Sequence, residues 1–102
     1  MYALQTTSNF RKRYKKLAEK NKKLQDSVQK TLNQLRLNPK YKSLKTHKIF
    51  LSQYGEVYSS FVAGDIRIIW LQVETKLIIL LLDIGGDLVN DVSHAITLLK
   101  VA

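Results

Sequence analysis

The sequence predicts an α+β fold, an N-terminal helical hairpin packed on a small, mostly antiparallel sheet, in the order β-α-α-β-β-β-α. Three observations lead there. Apolar residues recur at helical spacing as far as Pro39, and after it they fall into short β-rich runs. Gly64-Asp65 separates two of those runs by the two residues that a tight hairpin needs. The excess positive charge is confined to the first half of the chain, residues 1–48. A chain of 102 residues has room for one hydrophobic core, so residues 1–102 are expected to form one domain.

The elements follow in order. Residues 1–7 alternate loosely and form a short first strand. Thr7, Ser8 and Asn9 are each suited to cap a helix, because a side-chain oxygen there accepts one of the free amides of the first turn. Phe10, Tyr14, Leu17 and Ala18 then share a face, leaving Arg11, Lys12, Arg13, Lys15 and Lys16 around the others. Asn21 marks a break, and Leu24, Val28, Leu32 and Leu35 form a second stripe, with Leu37 near its end. Asn38-Pro39 stops it, since a residue before proline disfavours helix. Residues 40–53 read as basic loop with a short strand around 49–51. Residues 57–63 and 66–73 are strands joined at Gly64-Asp65, and Glu74-Thr75-Lys76 turns the chain again. Residues 77–84 are apolar almost throughout, as a central strand covered on both faces should be. Gly85-Gly86 ends that strand, and Asp87 caps a final helix with Leu88, Val92, Ile96 and Leu99 on one face.

Charge points to a partner. Residues 1–48 hold 14 Lys and Arg against Glu19 and Asp26, an excess of +12. Residues 49–102 hold Arg67, Lys76 and Lys100 against six acids, an excess of −3. Like charges this dense repel one another and oppose folding, and a polyanion such as RNA relieves that repulsion. The competing reading is a solvated basic surface that keeps the protein in solution. The absence of cysteine excludes disulfides and thiolate-ligated metals, and fits a reducing cytoplasm. The longest apolar run, residues 77–82, falls well short of the about 20 residues of a membrane-spanning helix. No secretory signal pattern precedes it. A soluble cytoplasmic protein is expected.

Several blocks, in order, resemble the RelE/ParE toxin superfamily of bacterial toxin–antitoxin pairs. They are Leu37-Asn38-Pro39 closing the basic hairpin, Leu44-Lys45-Thr46-His47-Lys48-Ile49, Val57-Tyr58-Ser59-Ser60, Gly64-Asp65-Ile66-Arg67-Ile68-Ile69-Trp70, and Leu80-Leu81-Leu82-Asp83-Ile84-Gly85-Gly86. The Gly-Asp-Ile-Arg-Ile-Ile-Trp block is the most specific, and the resemblance covers nearly the whole chain. It implies a fold like microbial ribonucleases, a cognate antitoxin as partner, and ribosome-dependent cleavage of mRNA. It also implies no metal, no small-molecule cofactor and no membrane. In that reaction the 2′-hydroxyl of the RNA is the nucleophile, and protein groups move protons and neutralise the phosphate.

Such a reaction needs a base, an acid and cationic donors on the phosphate. Arg67 matches the family's strand arginine, and its planar fork suits a phosphate. The alternative is an arginine paired to Asp65 or Asp83. His47 matches a histidine used in catalysis by some RelE-like branches, and its neutral-range pKa suits proton transfer; the alternative is an exposed loop histidine. Lys45 and Lys48 are candidate phosphate contacts, Lys12, Lys15 and Lys16 a candidate RNA-binding face, and Trp70 either a base-stacking platform or a core residue.

Three positions depart from the family pattern. Asp87 stands where most RelE-like nucleases carry a histidine, Ser93 where they carry an aromatic, and Phe61 where many carry a polar strand residue. His94 lies one residue past Ser93, about 100° round a helix from it. Asp87 can accept a proton, but at an ordinary carboxylate pKa it is a poor acid near neutral pH. The expected function is therefore an mRNA endoribonuclease toxin. The alternatives are an attenuated paralogue that binds antitoxin or RNA without cutting, and a ParE-like gyrase inhibitor.

Overall fold

The computed structural model describes residues 1–73 and 76–86. Strand β1 (Ala3–Thr6) leads into helices α1 (Ser8–Ala18) and α2 (Lys22–Leu37). A 3-10 turn (Lys42–Leu44) follows, then strands β2 (His47–Leu51), β3 (Gly55–Ala63), β4 (Ile66–Gln72) and β5 (Ile78–Gly86). The sheet order is β1-β5-β4-β3-β2. β1 runs parallel to β5 and every other pairing is antiparallel. No described helix is long and apolar enough to cross a membrane.

Local chemistry sets the boundaries. Of the three capping candidates, Thr7 is the N-cap: its Oγ1 accepts from Phe10 N at 3.1 Å. Asn21 caps α2 in the same way, accepting from Leu24 N at 3.0 Å. Lys20 just before it takes a left-handed conformation, φ 59°, which closes the turn between the helices. Gly64, at φ +55°, makes the two-residue turn between β3 and β4.

The structure differs from the sequence expectation at two described places. Residues 47–51 form a full strand rather than mostly loop, with His47 opposite Ser59 and Leu51 opposite Gly55. Four strands, not three, therefore follow the helices among the described residues. Ile49 and Leu51 face Val57, Ile69 and Leu82 in a small cluster, and that burial holds β2 on the sheet. β5 continues through Gly86, because Gly85 and Gly86 pair with Arg67 and Ile66 of β4. The expected final helix, with Asp87, Ser93 and His94, lies outside the described residues.

The helices cover one face of the sheet. Phe10, Val28 and Leu35 pack with Val62, Ile68, Trp70, Ile79, Leu81 and Ile84, and Leu44 of the 3-10 turn closes that layer. Leu80 and Leu82 face the other way, into the cluster with Val57 and Ile69. The apolar run of β5 is thus used on both faces. Leu37, expected near the end of the α2 stripe, is 58% exposed.

β1 pairs with β5 only as far as Leu81. Beyond it, side chains of the α1 region take over the ladder. Thr7 Oγ1 donates to the carbonyls of Leu81 (3.0 Å) and Leu82 (3.2 Å), Asn9 Nδ2 to Leu82 (2.9 Å), and Arg13 Nε to Ile84 (3.2 Å). Arg13 Nε also lies 2.9 Å from Oδ1 of the buried Asp83. Thr7 thus serves both the helix and the sheet edge. Thr7→Ala should lose about 1–2 kcal/mol in urea denaturation, while Ser8→Ala stays within about 0.5 kcal/mol. Equal losses at the two positions would contradict the double role.

Candidate nucleic-acid interface

The alternation of strand residues decides which candidates meet. On β4, Ile68 and Trp70 point toward the helices, so Arg67, Ile69 and Leu71 point away from them. On β3, Tyr58, Ser60 and Val62 point toward the helices, leaving Val57, Ser59 and Phe61 on Arg67's side. The face turned away from α1 and α2 therefore carries Arg67 directly opposite Phe61, with Ser59 beside them.

Arg67 is fixed by neutral oxygens. Its Nε donates to Ser59 Oγ at 2.6 Å, and its Nη2 to the carbonyls of Ser59 (2.9 Å) and Lys45 (2.6 Å). Among the described residues it forms no ion pair with Asp65. Nη1 is left without a protein partner among those residues and is the nitrogen available to a ligand. Partial burial lowers the pKa of Arg67 by desolvation, yet a guanidinium remains charged near neutral pH. Ser59 is fully buried, so its hydroxyl requires a partner, and Arg67 supplies one.

The bond to Lys45 reaches an unusual backbone. Lys45 ends the 3-10 turn in the left-handed region, φ 45° and ψ 50°, which is unfavourable for a residue with a side chain. Arg67 holds the Lys45 carbonyl, and Lys45 N donates to Lys42 O at 3.0 Å. The Lys45 ammonium sits 5.3 Å from the centroid of the Phe61 ring, a cation–π contact. Phe61, read from the sequence as the loss of a polar residue, is the platform under this cation.

His47 is opposite Ser59, and residues paired in that way share a face. It is exposed and forms no side-chain hydrogen bond among the described residues. Arg67, Lys45 and His47 are therefore gathered on one side of the sheet.

The other candidates are not. Lys48, one residue on from His47, takes the opposite face, where its Nζ is 3.7 Å from Glu56. Trp70 is 3% exposed, stacks on Tyr58 with centroids 4.8 Å apart, and donates its indole N–H to Ser60 Oγ at 2.8 Å. It is a core residue on the helix side rather than a partner of Arg67. Lys12, Lys15 and Lys16 are exposed on α1, across the sheet from Arg67, and belong to a separate basic surface. Asp87 lies outside the described residues. Among those residues no group of three His, Cys, Asp or Glu side chains is placed to hold a metal ion.

Two contributors had no assigned role in the sequence reading. Ser59 has no role in the sequence expectation, although a polar pair inside an apolar strand signals buried groups in need of partners. Arg13 was placed with the solvated basic faces, and its bond to Asp83 joins residues far apart in the chain.

No protein-family model and no curated protein sequence matches the chain. Solved structures do match its fold. A metal-bound toxin from Helicobacter pylori superposes with a TM-score of 0.70 at 17% identity, covering 85% of this chain and 96% of that one. YafQ from E. coli gives 0.66 at 20% identity, covering 85% and 94%. The intact E. coli RelBE toxin–antitoxin complex gives 0.55 at 17% identity, covering 84% and 96%. At these identities what is shared is architecture, and the chain has the RelE-like toxin fold.

Proposed function

We propose that the chain is the toxin of a bacterial toxin–antitoxin pair and cleaves mRNA on the ribosome by attack of the RNA 2′-hydroxyl. The observation that carries this reading is the immobilised Arg67 guanidinium, with Lys45 and His47 set beside it on the sheet face turned away from α1 and α2. Arg67 Nη1 donates to the scissile phosphate, and because its mates are already bonded it needs no reorganisation as charge develops. The Lys45 ammonium adds a second positive charge. The His47 imidazole, with one nitrogen able to accept and the other able to donate, takes or gives the proton. Asp87 remains a candidate for the remaining proton transfer.

A cognate antitoxin is the proposed protein partner. Support comes from the fold neighbours, which include the E. coli DinJ–YafQ and RelBE complexes. A second reading, binding without cutting, is favoured by the commitment of Arg67 Nε and Nη2 to protein oxygens, which leaves one nitrogen for RNA.

Primer extension on ribosome-bound mRNA separates the two readings. Arg67→Ala should lower cleavage about 10²- to 10³-fold, with circular dichroism reporting that the fold is kept. Arg67→Lys should not restore cleavage, because an ammonium cannot hold Ser59 and Lys45 together and still reach the phosphate. Lys45→Gln should impair cleavage, whereas Lys48→Gln on the opposite face should change it by no more than about twofold. Equal effects at the two lysines would remove the sheet face from the reading, and a wild type that does not cut would select the binding-only alternative.

The exposed α1 face adds a charge-driven contribution. RNA affinity should fall with salt at a log–log slope of roughly −0.7 per phosphate contact. Replacing Lys12, Lys15 and Lys16 with Gln should flatten that slope, as fluorescence anisotropy with a labelled oligonucleotide will report. An unaltered slope would make this face a solubilising surface only.

A further inference from the structure

A cavity of about 510 Å³ opens between the end of α2, the 3-10 turn and the helix-facing side of the sheet. That is within the roughly 300–1,000 Å³ of ordinary ligand pockets. Its lining includes Tyr2, Tyr41, Tyr58 and the largely buried Trp70. Lys40, Lys42 and Lys45 also line it, and no Asp or Glu does among the described residues. The stacked Tyr58 and Trp70 rings give it a rigid floor, with the indole N–H already satisfied by Ser60. Tyr41 is 43% exposed and begins the turn that bears Lys42. Asn38 Oδ1 accepts from Lys40 N at 3.0 Å, which directs the amide NH₂ of Asn38 away from that bond.

Flat aromatic walls beside cations, with no anion among them, match a ligand that is planar at one end and negative at the other. A nucleotide is such a ligand: its base stacks on rings and its phosphate meets ammonium groups. An acidic peptide would satisfy the lysines and leave the rings without a stacking partner. We propose that this cavity is a nucleotide subsite that takes one unstacked base of single-stranded RNA, with the adjoining phosphates on Lys40, Lys42 and Lys45. The proposal rests on the reading of the protein as RNA-binding and extends it. Lys45 belongs to both sites: it lines the cavity, its carbonyl accepts from Arg67, and its ammonium lies over Phe61. An RNA strand crossing the loop at Lys45 and Thr46 places one nucleotide in the cavity and a neighbour before Arg67.

Trp70 is the only tryptophan in the chain and sits in the wall, so its emission reports occupancy. The full chain is titrated with a single-stranded RNA hexamer, AMP, ribose 5-phosphate and a glutamate-rich peptide. The hexamer and AMP should change the emission saturably, the hexamer binding tighter, while ribose 5-phosphate and the peptide should not change it. Tyr41→Ala should weaken the hexamer about 5- to 100-fold at an unchanged urea midpoint. No emission change with the hexamer, an unaltered affinity in Tyr41→Ala, or a peptide that matches the hexamer would each overturn the subsite. AMP binding as tightly as the hexamer would assign the cavity to a free nucleotide and overturn the RNA assignment. A wild type that binds AMP but does not cleave removes the nuclease reading alone, whereas cleavage without any emission change removes the subsite alone.

Discussion

Strand β5 has no polar side chain from Ile78 to Leu82, and the fold is organised around burying it. Both faces and both edges of such a strand need cover, because unpaired backbone groups in an apolar setting are costly. The helices supply one face and the Val57–Ile69–Leu82 cluster lies on the other. β4 pairs along one edge. On the other, β1 pairs as far as Leu81, and Thr7, Asn9 and Arg13 extend the cover. This arrangement also fixes the entry of α1, since the residue that caps the helix is the one bonded to the strand.

The same alternation that buries β5 distributes the chemistry. Residues of one strand are sent to different environments: Arg67 to the face turned away from α1 and α2 and Trp70 to the core, His47 to Arg67's side and Lys48 away from it. The loop at Lys45 is the corner where the two faces meet. Its position depends on a buried serine and a partly buried arginine, so the cationic surface and the folded core are mechanically joined there.

Much of the architecture was legible in the sequence because it rests on local patterns. The capping candidates Thr7, Ser8 and Asn9, the break at Asn21, the Gly64-Asp65 turn and the apolar run of β5 each carry their own signal. β2 was obscured because its alternation pairs apolar Ile49 and Leu51 with lysine, histidine and an exposed Phe50, a mixture that resembles basic loop. The site was legible in part. Arg67, Lys45 and His47 are brought together, but Lys48 and Trp70 are turned away by strand phase, which a sequence fixes only once register is known. The pairs Arg67–Ser59 and Arg13–Asp83 join different elements and leave no local trace.

Lys45 occupies a backbone conformation that glycine adopts at no steric cost. A screen for heat resistance alone would therefore accept glycine at that position, as natural proteins do not sit at their stability optimum. The backbone carbonyl would still be there for Arg67, and the loop would keep its course. What would vanish is the ammonium over Phe61. Position 45 is thus a place where selection for durability and selection for what the surface recognises pull in opposite directions.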